Sequence, residues 1–122
     1  MSLDLSINVE VASYNLTHNL GELASKVPVG TTIRYISATK HEEKELSLYD
    51  ILWRADQNGL YTPSDIREYL ITGLQYLKEN YDDLLQYNPS NSWGHIDNLI
   101  EVTSKLIADC AIYPDASLHH CR

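Results

Sequence analysis

Apolar residues alternate strictly at the start of the chain, with Leu3, Leu5, Ile7, Val9 and Val11 separated by Asp4, Ser6, Asn8 and Glu10. A period of two marks a strand with one buried face, so a strand is predicted over Leu3 to Val11. The alternation breaks at Tyr14, and Leu20, Leu23, Ala24 and Val27 then take helical spacing. This predicts a short helix over about residues 18–26 that Pro28 and Gly30 end. Thr31 to Ser37 is rich in β-branched and aromatic residues and reads as a second short strand, whereas Lys40 to Glu45 reads as a solvated charge run. Leu46 to Arg54 carries Leu48, Ile51 and Leu52 on a helix that Asn58-Gly59 stops.

The second half of the chain is helical by pattern. Thr62-Pro63-Ser64-Asp65 is a helix start, with Thr62 as N-cap, Pro63 in the first turn and an acid near the positive end of the dipole. Ile66, Tyr69, Leu70, Gly73, Leu74 and Leu77 then form one stripe to about Glu79, and Gly73 on that stripe invites close approach by a neighbour. Tyr81 to Tyr87 adds a helical turn, Asn88 to Gly94 is a loop by composition, and Ile96, Leu99, Ile100, Thr103, Leu106, Ile107 and Cys110 define a last helix over about His95 to Ile112. A lone strand cannot satisfy its own backbone, so Ala116 to Cys121 is predicted to pair with the N-terminal strand. The expected fold is α+β: a small antiparallel sheet from the N-terminal strand, the C-terminal tail and residues 31–37, packed against about four helices.

At 122 residues the chain is one domain in size, and 43% hydrophobic with 21% charged residues is the balance of a domain that folds in water. A net charge of −8 opposes binding to nucleic acid, so no nucleic-acid partner is expected. No apolar run approaches a membrane span and the start of the chain carries no export signal, so no membrane partner and a cytoplasmic location are expected, with Cys110 and Cys121 as free thiols. The phosphate-loop, dinucleotide, serine-hydrolase, zinc-protease and EF-hand motifs are absent. His18, His41, His95, His119 and His120 are scattered apart from the last pair beside Cys121, and neither a metal nor a cofactor is expected.

Two polar stretches stand out as candidate sites. Tyr14-Asn15-Leu16-Thr17-His18-Asn19 reads as a strand-to-helix junction, where unpaired helix N–H groups can hold an anion or an amide. The bland alternative is that Thr17 or Asn19 caps the helix. Asn88 to Gly94 places Asn88, Asn91 and Trp93 in a loop, and Trp53-Arg54 sets a cation beside an aromatic wall that can clamp a carboxylate or phosphate. Loop anchoring by Trp93 and dipole complementation by Arg54 are the structural readings of the same residues.

Thr17-His18-Asn19, Leu52-Trp53-Arg54 and Asn88-Pro89-Ser90-Asn91-Ser92-Trp93-Gly94 together resemble the T-H-N, L-W-R and N-P-x-N-G-W-G signatures of a group of small proteins common in phage genomes and also found in bacteria. The resemblance covers roughly residues 9–116 and implies a site map without a chemistry. Those relatives pass almost directly from the first motif's helix to the second's, so Val27 to Ser47 reads as an insertion in a single domain. Ser92 also stands where they have Gly. The leading expectation is a binding module that holds a small polar ligand or a protein partner through Tyr14, Asn15, Thr17, His18, Asn19, Trp53, Arg54, Asn88, Asn91 and Trp93. The alternatives are a small enzyme with His18 as general acid or base, and a structural protein, with a homodimer among the expected states.

Overall fold

The computed structural model describes residues 2–7, 12–89 and 95–121. Strand β1 (Ser2–Ile7) lies between β2 (Ala12–Thr17) and β5 (Leu118–Cys121), antiparallel to both. Leu3, Leu5 and Leu16 turn to the core, as the period of two requires. The predicted pairing of the tail with the N-terminal strand is present, Ile7 opposite Leu118 and Asp4 opposite Cys121. The tail is also held from its other side, where the Leu118 N–H donates to the Tyr61 carbonyl at 3.0 Å.

The first strand is observed over Ser2–Ile7, and the remainder of the expected span, residues 8–11, lies outside the described residues. Three expectations are corrected. Tyr14 to Thr17 belongs to β2, whose own alternation of Ala12, Tyr14 and Leu16 is masked by the polar residues between, so the passage from strand to helix falls at Thr17–His18 and not across the whole polar stretch. Residues 31–37 do not join this sheet. They form part of β3 (Pro28–Ser37), which pairs with β4 (Lys40–Ser47) in a separate two-stranded hairpin. The charge run of residues 40–45 is therefore strand, and its lack of an apolar face follows from where it sits. Leu46, at the base, is buried, while Glu42, Glu43 and Glu45 are exposed.

The span expected for an insertion is thus an antiparallel arm anchored at one end. Its base enters the core through Val29 and Leu46. Gly30 has φ +132°, a conformation that L side chains rarely adopt, and it lies at a register shift in the ladder against the Tyr69 ring.

Helix α1 (Gly21–Ser25) follows a 3-10 turn at His18–Leu20, and α2 (Leu48–Arg54) follows β4 directly. Helix α2 begins at Leu48 rather than Leu46 because Ser47 caps it. The Asp50 carboxylate accepts from the Ser47 N–H at 2.9 Å while the Ser47 hydroxyl accepts from the Asp50 N–H at 3.4 Å. A 3-10 turn at Ala55–Asn58 ends at Gly59, left-handed at φ +76° as Asn58-Gly59 predicts.

The two long helices match their stripes. Helix α3 (Pro63–Glu79) buries Ile66, Leu70, Gly73 and Leu77, and α5 (Ile96–Ile112) buries Ile96, Leu99, Thr103, Leu106 and Cys110. Leu74 is only half-buried, at the margin of its stripe. The helices run antiparallel: the Ser64 N–H donates to the Pro114 carbonyl at one end, and Tyr81, first residue of the short α4 (Tyr81–Leu84), reaches Asp97 at the other. At the start of α3 the Asp65 carboxylate accepts from the Tyr61 and Thr62 N–H groups. Partial burial raises its pKa, but these bonds and the Thr62 hydroxyl outweigh that and leave it below the usual value.

Thr103 is completely buried on α5, and its hydroxyl has no hydrogen-bond partner among the described residues. A buried hydroxyl without a partner loses its water at no return. Thr103→Val keeps the branched shape and removes that cost, so it is expected to stabilise the protein by about 1 kcal/mol in urea unfolding. A loss of stability would show the hydroxyl to be bonded.

Candidate functional site

Two of the three motif-bearing segments meet in one layer. Behind the T-H-N residues, Gly21 opens α1 with its Cα against the Tyr49 ring of α2, where an added Cβ would sit 3.4 Å from the ring edge. Tyr49 stacks on Trp53 with ring centroids 5.3 Å apart and planes 14° from parallel, and the Arg54 Nε donates to the Tyr49 hydroxyl at 3.4 Å. The Leu48 N–H donates to the Val27 carbonyl at 2.8 Å, which fixes the start of α2 to the chain leaving α1.

This layer does not offer Trp53 as a ligand wall. Trp53 is 2% exposed and belongs to the core. Arg54 is half-buried, and besides the Tyr49 contact its carbonyl accepts from the Asn58 side chain at 2.9 Å. Arg54 on the Tyr49 hydroxyl is a brace for the helix end, a role that its sequence position beside an aromatic does not distinguish from ligand clamping.

The residues expected to form the polar junction are dispersed by the strand. Asn15 and Thr17 lie in β2 opposite Asp4 and Ser2 of β1. Tyr14 is half-buried and its hydroxyl donates to the Asp109 carboxylate of α5, which ties the sheet to the last helix. The N-cap of α1 is Leu20, which makes no side-chain cap bond. His18 opens the 3-10 turn and Asn19 is exposed in it.

Asn88 is a capping residue acting from outside its helix. Its Oδ1 accepts from the Ile96 N–H at 2.8 Å, while the His95 Nδ1 accepts from the Asp97 N–H and the Asn98 Oδ1 from the His95 N–H. Three of the orphan donors at the start of α5 are satisfied in this way. Tyr81 completes the cluster: its hydroxyl donates to Asp97 at 2.8 Å, and that bond, with the nearby carboxylates, raises the phenol pKa. Asn91 and Trp93 lie outside the described residues, so the expected approach of His18 to Trp93 has no described counterpart.

A concave surface with walls of both charges lies elsewhere, where α1, the base of the hairpin and α2 meet. It is an open cleft of about 360 Å³ lined by Ser25, Lys26, Pro28, Glu45, Leu46, Ser47 and Asp50. The Lys26 ammonium stands 5.3 Å above the Tyr87 ring, next to Asn88, so the third motif's leading edge borders this region. Lys26, Glu45 and Asp50 are functional candidates that sequence reasoning missed. The available signal was the Ser47-Leu-Tyr-Asp50 capping pattern, which sets the turn into α2, but the cleft itself requires the hairpin.

Cys110 is buried in the core, and burial pushes its thiol up to about 11 although Arg67 pulls the other way, so it is neutral at physiological pH. Among the described residues no group of three or more His, Cys, Asp or Glu side chains is placed to hold a metal ion, and no helix is long and apolar enough to cross a membrane. No family model, curated protein or solved structure matches the chain.

The capping role of Asn88 predicts that Asn88→Ala destabilises the protein by about 1 kcal/mol, whereas Asn88→Asp, which keeps the acceptor beside a helix N-terminus, is close to neutral. Thermal unfolding of both variants checks this. Equal losses would place the role of Asn88 elsewhere.

Proposed function

We propose that the protein is a small binding module of the cytoplasm that holds a polar small molecule in the cleft between α1, the hairpin base and α2. The observation that carries this reading is the juxtaposition of one ammonium, Lys26, with two carboxylates, Glu45 and Asp50, around a single open concavity. Opposite charges on one wall set suit a ligand that itself carries an anionic and a cationic group, such as a free amino acid or a related zwitterion. The volume lies within the range of small-molecule sites. Ser25 and Ser47 add hydroxyls, although the Ser25 hydroxyl already donates to the Glu22 carbonyl and Ser47 to the α2 cap.

Binding is favoured over catalysis because the described groups with shifted pKa values are explained by packing and caps: Asp65 and Tyr81 at helix starts, Cys110 in the core. Perturbed groups converging in a cleft are what a catalytic reading calls for.

Calorimetric titration with a panel of free amino acids and small zwitterions tests the proposal. At least one member is expected to bind, and Lys26→Ala is expected to weaken it by about tenfold or more without lowering the melting temperature. Absence of binding across the panel, or binding unchanged in Lys26→Ala, would contradict the assignment. Turnover of a bound member that His18→Ala abolishes would instead establish the enzyme reading.

A further inference from the structure

We propose that Asn58 is a site of covalent modification, deamidating through a cyclic imide with Gly59, and that the hairpin arm holds this reaction in check through Lys44. Asn58-Gly59 is the one place in the chain where Gly follows Asn. A glycine in that position leaves its backbone nitrogen without a side chain to shield it. Gly59 is also exposed, with nothing within 4 Å of the position that a Cβ would take. Every group that the reaction needs is nevertheless engaged in the fold. The Lys44 ammonium of β4 donates to the Asn58 Oδ1 at 2.6 Å, the Asn58 Nδ2 donates to the Arg54 carbonyl at 2.9 Å, and the Gly59 N–H donates to the Ala55 carbonyl. The last two bonds lie within the turn itself. The first comes from the arm, 14 residues earlier in the chain, so this restraint lasts only while the arm is docked against the end of α2.

In the reaction the Gly59 nitrogen loses its proton to solvent and attacks the Asn58 Cγ. The N–Cγ bond forms, the Cγ–Nδ2 bond breaks, and Nδ2 takes a proton from solvent and leaves as ammonia. Water then adds to one of the two carbonyl carbons of the five-membered ring and opens it, leaving aspartate or isoaspartate at position 58. In the folded chain the side-chain amide must first turn away from Lys44 and Arg54, and the Gly59 N–H must leave Ala55. A hydrogen bond from a charged donor is stronger than a neutral one, so Lys44 supplies the largest of these restraints. The product in turn alters the turn. A carboxylate at position 58 has no N–H to give the Arg54 carbonyl and sets a negative charge beside it, and isoaspartate lengthens the backbone by one carbon where Gly59 ends the turn. Modified copies therefore record that the arm has come away from the end of α2.

Peptide mass mapping of the full chain during incubation at mildly alkaline pH measures the conversion, and Asn58→Gln, whose longer side chain closes such a ring far more slowly, identifies the position. Asn58 is expected to convert at least about tenfold faster in the guanidinium-unfolded chain than in the folded one, a comparison that needs no variant. In folded Lys44→Met it is expected to convert at least about threefold faster than in the parent, whereas Lys44→Arg, which keeps a charged donor, stays within about twofold. At guanidinium concentrations well below the unfolding midpoint of Lys44→Met its rate is expected to be flat, as local opening requires. No faster conversion on unfolding, a product that persists in Asn58→Gln, or Lys44→Arg as fast as Lys44→Met would each overturn the proposal. So would a Lys44→Met rate that climbs with guanidinium in step with global unfolding, since the variant would then act through stability alone. A slower reaction in Lys44→Met would show the ammonium promoting the attack by stabilising the oxyanion at Oδ1, and would equally overturn its role as a lock.

Discussion

Three elements meet where one side chain is missing. Gly73 lies in the middle of α3, and a Cβ built there would stand 3.0 Å from Val29 of β3 and 3.1 Å from Leu48 of α2. Val29 and Leu48 are themselves buried, so neither has open space to retreat into. That close approach joins the base of the hairpin and the second helix to the long helical pair. It costs helix propensity, about 1 kcal/mol for a glycine in a helix interior, and gains the burial of two aliphatic side chains at about 1.5–3 kcal/mol each. The cleft and the arm both depend on it, because both are defined by where β3 and β4 leave the core.

The opposite side of the molecule is held by polar contacts at element ends. Tyr14 ties the sheet to α5 through Asp109, Asn88 and Asn98 cap α5, and Tyr81 joins α4 to Asp97. These residues attract attention in the sequence for the same reason that they are useful in the fold. Asn, Tyr and Asp carry strong acceptors or donors, and helix ends supply unsatisfied partners within reach. Residue type alone does not separate a capping role from a ligand-binding one. For Asn88 the helix that it serves begins eight residues further on, beyond the range of local pattern reading.

Legibility in the sequence followed the ratio of buried to exposed faces. Helices α3 and α5 carry an apolar stripe against a polar face, and the tail pairs with β1 because a half-buried strand demands a partner, so these elements could be read directly. Strand β4 could not. Away from Leu46 it has exposed glutamates on successive positions, and its pairing with β3 is written in backbone bonds rather than in side chains. Strand β2 was hidden by Ser13, Asn15 and Thr17 between its inward residues. The cleft was illegible for a further reason: Lys26, Glu45 and Asp50 are brought together only because the chain leaves α1, runs out along the arm and returns to α2. Trp53 shows the converse error, a residue of recognised binding chemistry that the fold uses as core.

The central claim is that close packing at Gly73 unites the hairpin and α2 with the helical pair, and a double-mutant cycle between Gly73 and Val29 tests it most directly. Urea unfolding would be measured for Gly73→Ala, Val29→Ala and the pair. Gly73→Ala is expected to cost about 1–2 kcal/mol in the parent, where the new methyl is forced against Val29 and Leu48, and to cost less when Val29 has been trimmed to Ala. If Gly73→Ala instead stabilises the protein by the roughly 0.5–1 kcal/mol of helix propensity in both backgrounds, the three elements do not meet there as described.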